Sequence, residues 1–291
     1  MSIKSEIKEL SSFKFWFELV FIIIPIAFLI RTFIFGLYKV PSGSMETTLL
    51  ISESFVSDKL SYWFIKPKRG EIIAFNNPEQ VYSDNKLMNL WQRFVWSENW
   101  TKRVIGVPGD HVKGVIEDGR PVIYVNGQKL INEPYVNKYP LIEIAVPKGK
   151  GILVREHRSF DPAISWDKQK FYVINPAMIL VNACGDQIER LPGTPVHFYS
   201  EQRPAWSTGD SPDEFDIILG NNQYWAMGDN RLGSTDSRFF GPLDGSRIHG
   251  RIFFRIFSLD SDENWMVFDL LKHPIDFFKR IRYSRCLQIV R

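Results

Sequence analysis

From Leu19 to Ile30 no residue carries a charge, and after Arg31 the apolar run resumes as Thr32-Phe33-Ile34-Phe35-Gly36-Leu37-Tyr38. Written as a helix at about 1.5 Å per residue, Leu19 to Tyr38 extends about 30 Å, the thickness of a bilayer core. The run therefore divides the chain before any other feature is considered. A cleaved leader would end in a small-x-small pattern, which Tyr38-Lys39-Val40-Pro41 lacks, so the run favours a retained anchor. Arg31 is the discordant residue, since a guanidinium at mid-bilayer costs about 2.5 to 3.5 kcal/mol on insertion scales, and less where it snorkels to the interface. Lys4, Lys8 and Lys14 precede the run, while only Lys39 follows it before Lys59. The positive-inside rule then puts residues 1–18 in the cytoplasm, 19–38 across the membrane, and everything from Lys39 onward outside.

The outer part reads as mostly β. Glu71–Phe75, Val122–Val125, Lys170–Ile174 and Ile248–Phe257 are runs rich in β-branched and aromatic residues, bounded by turn formers. Asn126-Gly127 between two such runs marks a hairpin, because both central positions of a type I′ turn need positive φ. The polar stretches 77–99 and 183–221 read as loop insertions on this scaffold. The expected architecture is one N-terminal transmembrane helix, an antiparallel β domain over residues 39–262, and a basic amphipathic segment over 263–291. That last segment holds six Lys or Arg against three Asp or Glu, interleaved with Trp265, Phe268, Leu271, Phe277, Phe278, Ile281 and Tyr283. It suits a helix lying on a membrane surface, and equally a terminal helix docked on the protein's own core with a solvated basic face.

Composition narrows the chemistry. A net charge of +3 over 291 residues, with no zinc-finger spacing or basic helix, gives nucleic acid no support as a partner. The five histidines are scattered without metal-ligand spacing, and neither a phosphate loop nor a Gly-x-Gly-x-x-Gly fingerprint occurs, so no metal and no cofactor is expected. Cys184 and Cys286 fit two free thiols or one long-range disulfide; sequence alone leaves both open.

Directly after the anchor comes Pro41-Ser42-Gly43-Ser44-Met45, by composition a turn. A serine there becomes a nucleophile only if a base takes its proton. No Gly-x-Ser-x-Gly occurs, and the Ser-x-x-Lys matches at Ser5, Ser11 and Ser165 fall in short polar sequence. Lys102, in Thr101-Lys102-Arg103-Val104-Ile105-Gly106-Val107-Pro108-Gly109-Asp110, enters an apolar stretch, where burial lowers a lysine pKa and makes it a base near neutral pH. A third segment, Gly228-Asp229-Asn230 through Ser234-Thr235-Asp236-Ser237-Arg238, packs polar groups behind the apolar Tyr224–Met227.

These three motifs, in this order behind an anchor, resemble bacterial type I signal peptidases, the S26-type Ser-Lys membrane endopeptidases; the likeness runs from the anchor to about Phe257. The resemblance implies that Ser44 is the nucleophile and Lys102 the general base, and that the Ser42 hydroxyl and the Ser44 backbone N–H form an oxyanion hole. It implies that Ser234 bonds and orients the lysine, that Asp236, Arg238, Asp229 and Arg103 buttress the site, and that Tyr38, Val40, Met45, Leu49 and Thr101 build shallow pockets for small side chains. Glu46-Thr47-Thr48 departs from the family, which often has a proline before the threonine. The implied activity is removal of signal peptides from secreted and exported preproteins at the bacterial inner membrane, with a periplasmic catalytic domain. Its implied partners are the preprotein signal peptide, membrane lipid and the secretion translocon. Mitochondrial inner-membrane peptidases share the motifs. Self-cleaving repressors share Ser-Lys chemistry but carry a DNA-binding helical domain where this chain has an anchor. A noncatalytic anchored β module would leave Lys102 exposed and far from Ser44. Ser44 lies six residues beyond Tyr38, so the extended chain keeps it within about 20 Å of the expected membrane exit.

Overall fold

The computed structural model describes residues 14–94, 98–118, 120–131, 133–137, 141–147, 153–159, 179–180, 204–209, 211–261 and 266–290. The expected strand at 170–174, Ser165, Lys168 and Cys184 lie outside these. A helix, α1, runs Lys14–Ile34 with none of its most apolar stretch buried against the protein. Two π turns, Leu19–Ile23 and Ile30–Ile34, flank a segment with Pro25 in its first turn. Wide turns accommodate a residue that has no amide and crowds the carbonyl four residues earlier.

The helix stops at Ile34 rather than at Tyr38. Phe35–Lys39 is instead strand β1, paired antiparallel with β2, Ser54–Asp58, from Phe35 opposite Asp58 to Lys39 opposite Ser54. Gly36 is poorly disposed to a helix, and the β2 edge offers the backbone partners. Ser44 therefore sits ten residues beyond the helix, which raises its extended reach to about 36 Å, shortened by the β1–β2 turn.

The remaining elements are β3 (Ile72–Asn76), α2 (Lys86–Phe94), β4 (Asn99–Gly106), β5 (His111–Glu117), β6 (Arg120–Val125), β7 (Gln128–Lys129), β8 (Leu141–Pro147), β9 (Leu153–Ser159), β10 (Ile179–Leu180), β11 (Phe215–Ile218), β12 (Gln223–Met227), β13 (Leu243–Asp244), β14 (Ile248–Phe257), α3 (Met266–Lys272), α4 (Pro274–Lys279) and β15 (Gln288–Ile289). The main sheet runs β1-β2-β14-β3-β4-β12-β13 with β15 also on β14, and smaller sheets run β11-β5-β6-β7 and β10-β8-β9. All the described strand pairs are antiparallel. The Asn126-Gly127 hairpin has the expected positive φ at both residues and joins β6 to β7. Two stretches expected to be loops hold structure: α2 lies within 77–99 and β11 within 183–221.

Three apolar clusters hold the sheets. Val40, Met45, Leu49, Phe55, Ile72, Ala74, Ile252 and Val290 form the first. Val112, Phe215, Trp225 and Met227 belong to the second, and Ile73, Phe75, Val104 and Tyr224 to the third. The C-terminal segment docks on this body: β15 pairs with β14, Val290 joins the first cluster, and Phe277 is buried and stacked on Phe257. Its described arginines are engaged within the protein, Arg280 with Asp269, Arg282 with Asp260 at 2.7 Å, and Arg285 with Glu53 at 2.6 Å. Docking does not hide every apolar side chain, since Val267, Phe268, Leu271, Ile275 and Phe278 remain exposed.

Candidate active site

The segment after β1 turns sharply. Ser42 is extended, and Gly43–Met45 form a single 3₁₀ turn, closed by the Glu46 amide on the Gly43 carbonyl at 3.1 Å. The first N–H groups of such a turn have no partner within it, so the turn leaves donors beside the Ser44 hydroxyl. Beneath it, Met45 and Leu49 are sealed in the first apolar cluster and fix the turn to the sheet. A second anchor comes from the loop after β12. The Asn230 amide donates to the Ser44 carbonyl at 3.1 Å, and the Asn230 side chain donates to the Gly43 carbonyl at 3.1 Å.

Strand β4 delivers the lysine. Lys102 lies opposite Ile73 of β3, between Trp100 and Val104, both of which pack in the third cluster. Strand alternation carries Lys102 onto that same face, and it is only 5% exposed. Its Nζ donates to Ser44 Oγ at 3.0 Å. Burial pulls the Lys102 pKa down from 10.5 to about 8, although Asp236 and Asp229 pull the other way and Arg238 adds to the depression. A buried ammonium loses hydration that nearby carboxylates only partly replace. The noncatalytic alternative, with Lys102 exposed and remote, does not describe this geometry.

The flanking charges form a rigid frame. Arg103, the next residue on β4, makes a bidentate pair with Asp229, Nε to Oδ1 at 2.8 Å and an NH2 group to Oδ2 at 2.7 Å. It also donates to the Gly70 carbonyl at 2.7 Å. Asp229 Oδ2 further accepts from the Thr48 hydroxyl at 2.5 Å, which ties the segment after Ser44 to the same pair. Asp236 accepts from Arg238 Nε at 2.8 Å and from the Gly228 amide at 3.0 Å, while Arg238 also reaches Asp213 at 2.6 Å. Arg238 is raised above its ordinary range by Asp236 and Asp213, against the effect of burial, and holds Asp236 low in return. Planar guanidinium forks of this kind fix two carboxylates in direction as well as in charge.

Two expected roles differ in detail. Ser234 is buried beside the site, but its Oγ has no hydrogen-bond partner among the described residues; the described side-chain bond of Lys102 goes to Ser44 instead. Met45 and Leu49 are fully buried and Val40 is 6% exposed, so these three form the floor beneath the turn, and only Tyr38 and Thr101 of the expected pocket residues are half-buried. Ser42 is exposed, with its Oγ 3.5 Å from Ser44 Oγ.

Sequence reasoning passed over three contributors. Asn230 holds the turn's carbonyls, and Thr48 bonds Asp229. Gly228 is the third: a Cβ there would overlap Ser234 and lie 2.5 Å from the Ser44 carbonyl oxygen. Both Gly228 and Asn230 stood inside the third motif, but their spatial partner, the Ser44 turn, was not readable from that segment. No histidine among the described residues bonds Ser44; His111 pairs with Asp216, and His249 with Asn99. No group of three or more His, Cys, Asp or Glu converges as metal ligands among the described residues, and Cys286 is a half-buried free thiol.

A family model described as "Signal peptidase, peptidase S26" matches residues 13–257. "Probable signal peptidase I-2" of Synechocystis is 35% identical over 133 residues, which cover 45% of this chain and 54% of that protein. "Signal peptidase I" of Haemophilus influenzae is 26% identical over 278 residues, covering 90% of this chain and 74% of that one. The chain thus spans about half the length of the first relative and about three quarters of the second. A crystal structure of a signal peptidase I from Enterococcus faecalis aligns with 64% of this chain and 97% of its own at 18% identity, with a TM-score of 0.28.

Proposed function

The chain belongs to the S26 signal peptidase family, and on that premise we propose that it is a membrane-anchored serine endopeptidase that removes N-terminal signal peptides from secreted and exported preproteins with a Ser44–Lys102 dyad. One observation carries the reading: a lysine 5% exposed, with its pKa lowered by burial, donates at 3.0 Å to a serine on a tight turn. In its neutral form Lys102 accepts the Ser44 proton as Oγ attacks the scissile carbonyl. The developing oxyanion is met by the Ser42 hydroxyl and the Ser44 amide, donors that act chiefly in the transition state. The Lys102 ammonium then gives its proton to the leaving amine, and the C–N bond breaks to leave an acyl ester on Ser44. A water molecule, deprotonated by Lys102, attacks that ester; the acid product leaves and Ser44 regains its proton.

The Arg103–Asp229 and Arg238–Asp236 pairs keep Lys102 and the Ser44 turn in register, and Ser234 lies within the same packed corner. Helix α1 is the membrane anchor of this reading, with the N-terminus cytoplasmic, the β domain periplasmic, and the bacterial inner membrane as the site of action beside the translocon. A secretory signal peptide ends its apolar segment just before a small-x-small site, so its scissile bond emerges on the same membrane face as the Ser44 turn. Tyr38 and Thr101, above the floor of Val40, Met45 and Leu49, leave room only for small residues before the cut.

The test is cleavage of a purified preprotein in detergent micelles, with the new N-terminus sequenced. Cleavage should fall after the small-x-small site, and Phe in place of Ala at −1 should slow it about 10 to 100-fold, the effect of about 1 to 3 kcal/mol of overlap. Equal rates for the Ala and Phe substrates would remove the pocket assignment, and cleavage elsewhere would remove the proposed substrate class.

A further inference from the structure

Where α1 meets the β domain there is a cavity of about 560 Å³. Its lining draws on Phe28, Arg31 and Phe33 of α1, on Tyr38 of β1, on Lys86 and Leu90 of α2, and on the segments that carry Lys59, Arg247 and His249. Among the described residues four cations line it, Arg31, Lys59, Lys86 and Arg247, and no carboxylate does. None of the four is ion-paired among the described residues. Lys59 donates to the Thr32 carbonyl at 3.1 Å and sits 5.8 Å from the Tyr38 ring centre. Arg247 donates to the Asn77 carbonyl at 2.8 Å and lies over the Tyr82 ring at 5.2 Å. Burial lowers the Lys59 pKa, and the Arg31 charge lowers it further. His249 adds no charge, because burial takes its pKa down to about 3, with Lys59 contributing. Cations gathered without a counter-charge in a partly enclosed space favour an anion there.

The position says which kind of anion. The cavity straddles the end of α1, so one wall belongs to the membrane-spanning helix and the other to the polar domain. Leu37 and Trp63, both in its lining, are 60% and 64% exposed, and α2, which contributes Lys86 and Leu90, also carries Leu87 at 80% and Trp91 at 53%. Leu87, Leu90 and Trp91 stand at i, i+3 and i+4, a single apolar stripe on a short helix that also carries Lys86. An apolar face with basic flanks, lying level with the end of an anchor, fits the headgroup boundary of a bilayer. A free phosphate would answer the cations but not the apolar wall. We propose that this cavity binds the phosphate headgroup of an anionic membrane phospholipid, with α2 resting on the bilayer surface beside it; the proposal rests on the reading of α1 as a membrane anchor. It also gives Arg31 a place, since in the lining of the cavity its charge meets a headgroup instead of hydrocarbon.

The experiment uses the full chain in non-ionic detergent micelles, titrated with phosphatidylglycerol or phosphatidylcholine and read by native mass spectrometry. The wild type should retain one phosphatidylglycerol in preference to phosphatidylcholine, and excess inorganic phosphate should not displace it. Arg31→Gln with Arg247→Gln should weaken that binding about 30-fold, at about 1 kcal/mol for each basic residue near a membrane surface. Lys272→Gln with Lys279→Gln, on the C-terminal helices, should leave it unchanged. Near-UV circular dichroism checks the fold, and Arg31→Lys with Arg247→Lys, which keeps the charges, should retain the preference. A wild type indifferent to headgroup, an Arg31/Arg247 glutamine variant with undiminished affinity, an equal loss in the Lys272/Lys279 variant, or displacement by inorganic phosphate would each overturn the lipid site. Failure of the anchor reading looks different: the wild type would leave the membrane pellet in an alkaline carbonate wash. A protein that stays in the pellet but shows no headgroup preference fails the cavity alone.

Discussion

Replacing Lys102 by Met should abolish catalysis and, at neutral pH, make the protein more stable. The side chain is 5% exposed, and its pKa falls from 10.5 to about 8 on folding. A base with its pKa lowered in the folded state binds fewer protons folded than unfolded between those two values. The relative stability is therefore fully present above 10.5, and it is lost as the pH falls through about 8. At 1.36 kcal/mol per pH unit, the penalty carried by wild type is about 3 kcal/mol at pH 7 and about 1 kcal/mol at pH 10. Met fills a similar volume without a charge, so its packing effects are independent of pH and cancel when the two pH values are compared. Denaturant unfolding of both proteins in the same detergent should show the advantage of Lys102→Met shrinking by about 2 kcal/mol from pH 7 to pH 10. The same titration governs the wild-type rate, which should fall about tenfold for each pH unit below the lysine pKa, because only the neutral amine accepts the Ser44 proton. An unchanging stability difference, together with a rate flat between pH 6 and pH 9, would refute the buried-base reasoning.

Two further substitutions probe the surroundings of the proposed dyad. Ser42→Ala should lower kcat by about 10² to 10³ with little change in KM, since its hydroxyl meets charge that develops only in the transition state; steady-state kinetics on a peptide substrate would contradict the assignment if only KM rose. Gly228→Ala should push on Ser234 and on the Ser44 carbonyl, destabilising the fold by about 1 to 3 kcal/mol as overpacking does and slowing cleavage. Thermal unfolding and turnover would both have to match wild type for that close approach to be unimportant.

That Ser44 and Lys102 belong to one site was legible because each sits in a distinctive setting, Ser44 on a Pro-Ser-Gly-Ser turn and Lys102 at the entry to an apolar strand, and because three motifs came in a recognisable order; their contact at 3.0 Å agrees with that expectation. The end of the apolar helix was not. Apolar continuity through Phe35–Tyr38 reads the same for a helix and for a buried or edge strand, and only the pairing with Ser54–Asp58 decides between them. Helix α2 was hidden for the opposite reason. Its apolar residues Leu87, Leu90 and Trp91 have helical spacing but are set in a stretch of Asn, Asp, Ser and Gln that reads as a loop. For the basic C-terminal segment the sequence left a membrane-surface helix and a docked helix both open, because the partners that decide are remote in sequence: Arg285 and Arg255 converge on the buried carboxylate of Glu53, and Arg285 also donates to the Thr48 carbonyl at 3.0 Å. Charge that composition assigns to solvent or lipid thereby holds, in part, the segment that follows Ser44. Ser234 marks the limit of a residue-by-residue carry-over, because it arrives in the right corner while the lysine bond it was expected to make goes to Ser44.

The most direct test of the central claim is a four-way comparison of preprotein cleavage by wild type, Ser44→Ala, Lys102→Met and the double variant, all purified in detergent and checked for folding by circular dichroism. Residues that act as one unit lose nearly everything with the first substitution. Each single variant should therefore abolish processing at the signal-peptide junction, and the double variant should be no worse than either. Near-normal turnover by either folded single variant, or losses that multiply in the double, would contradict a Ser44–Lys102 dyad.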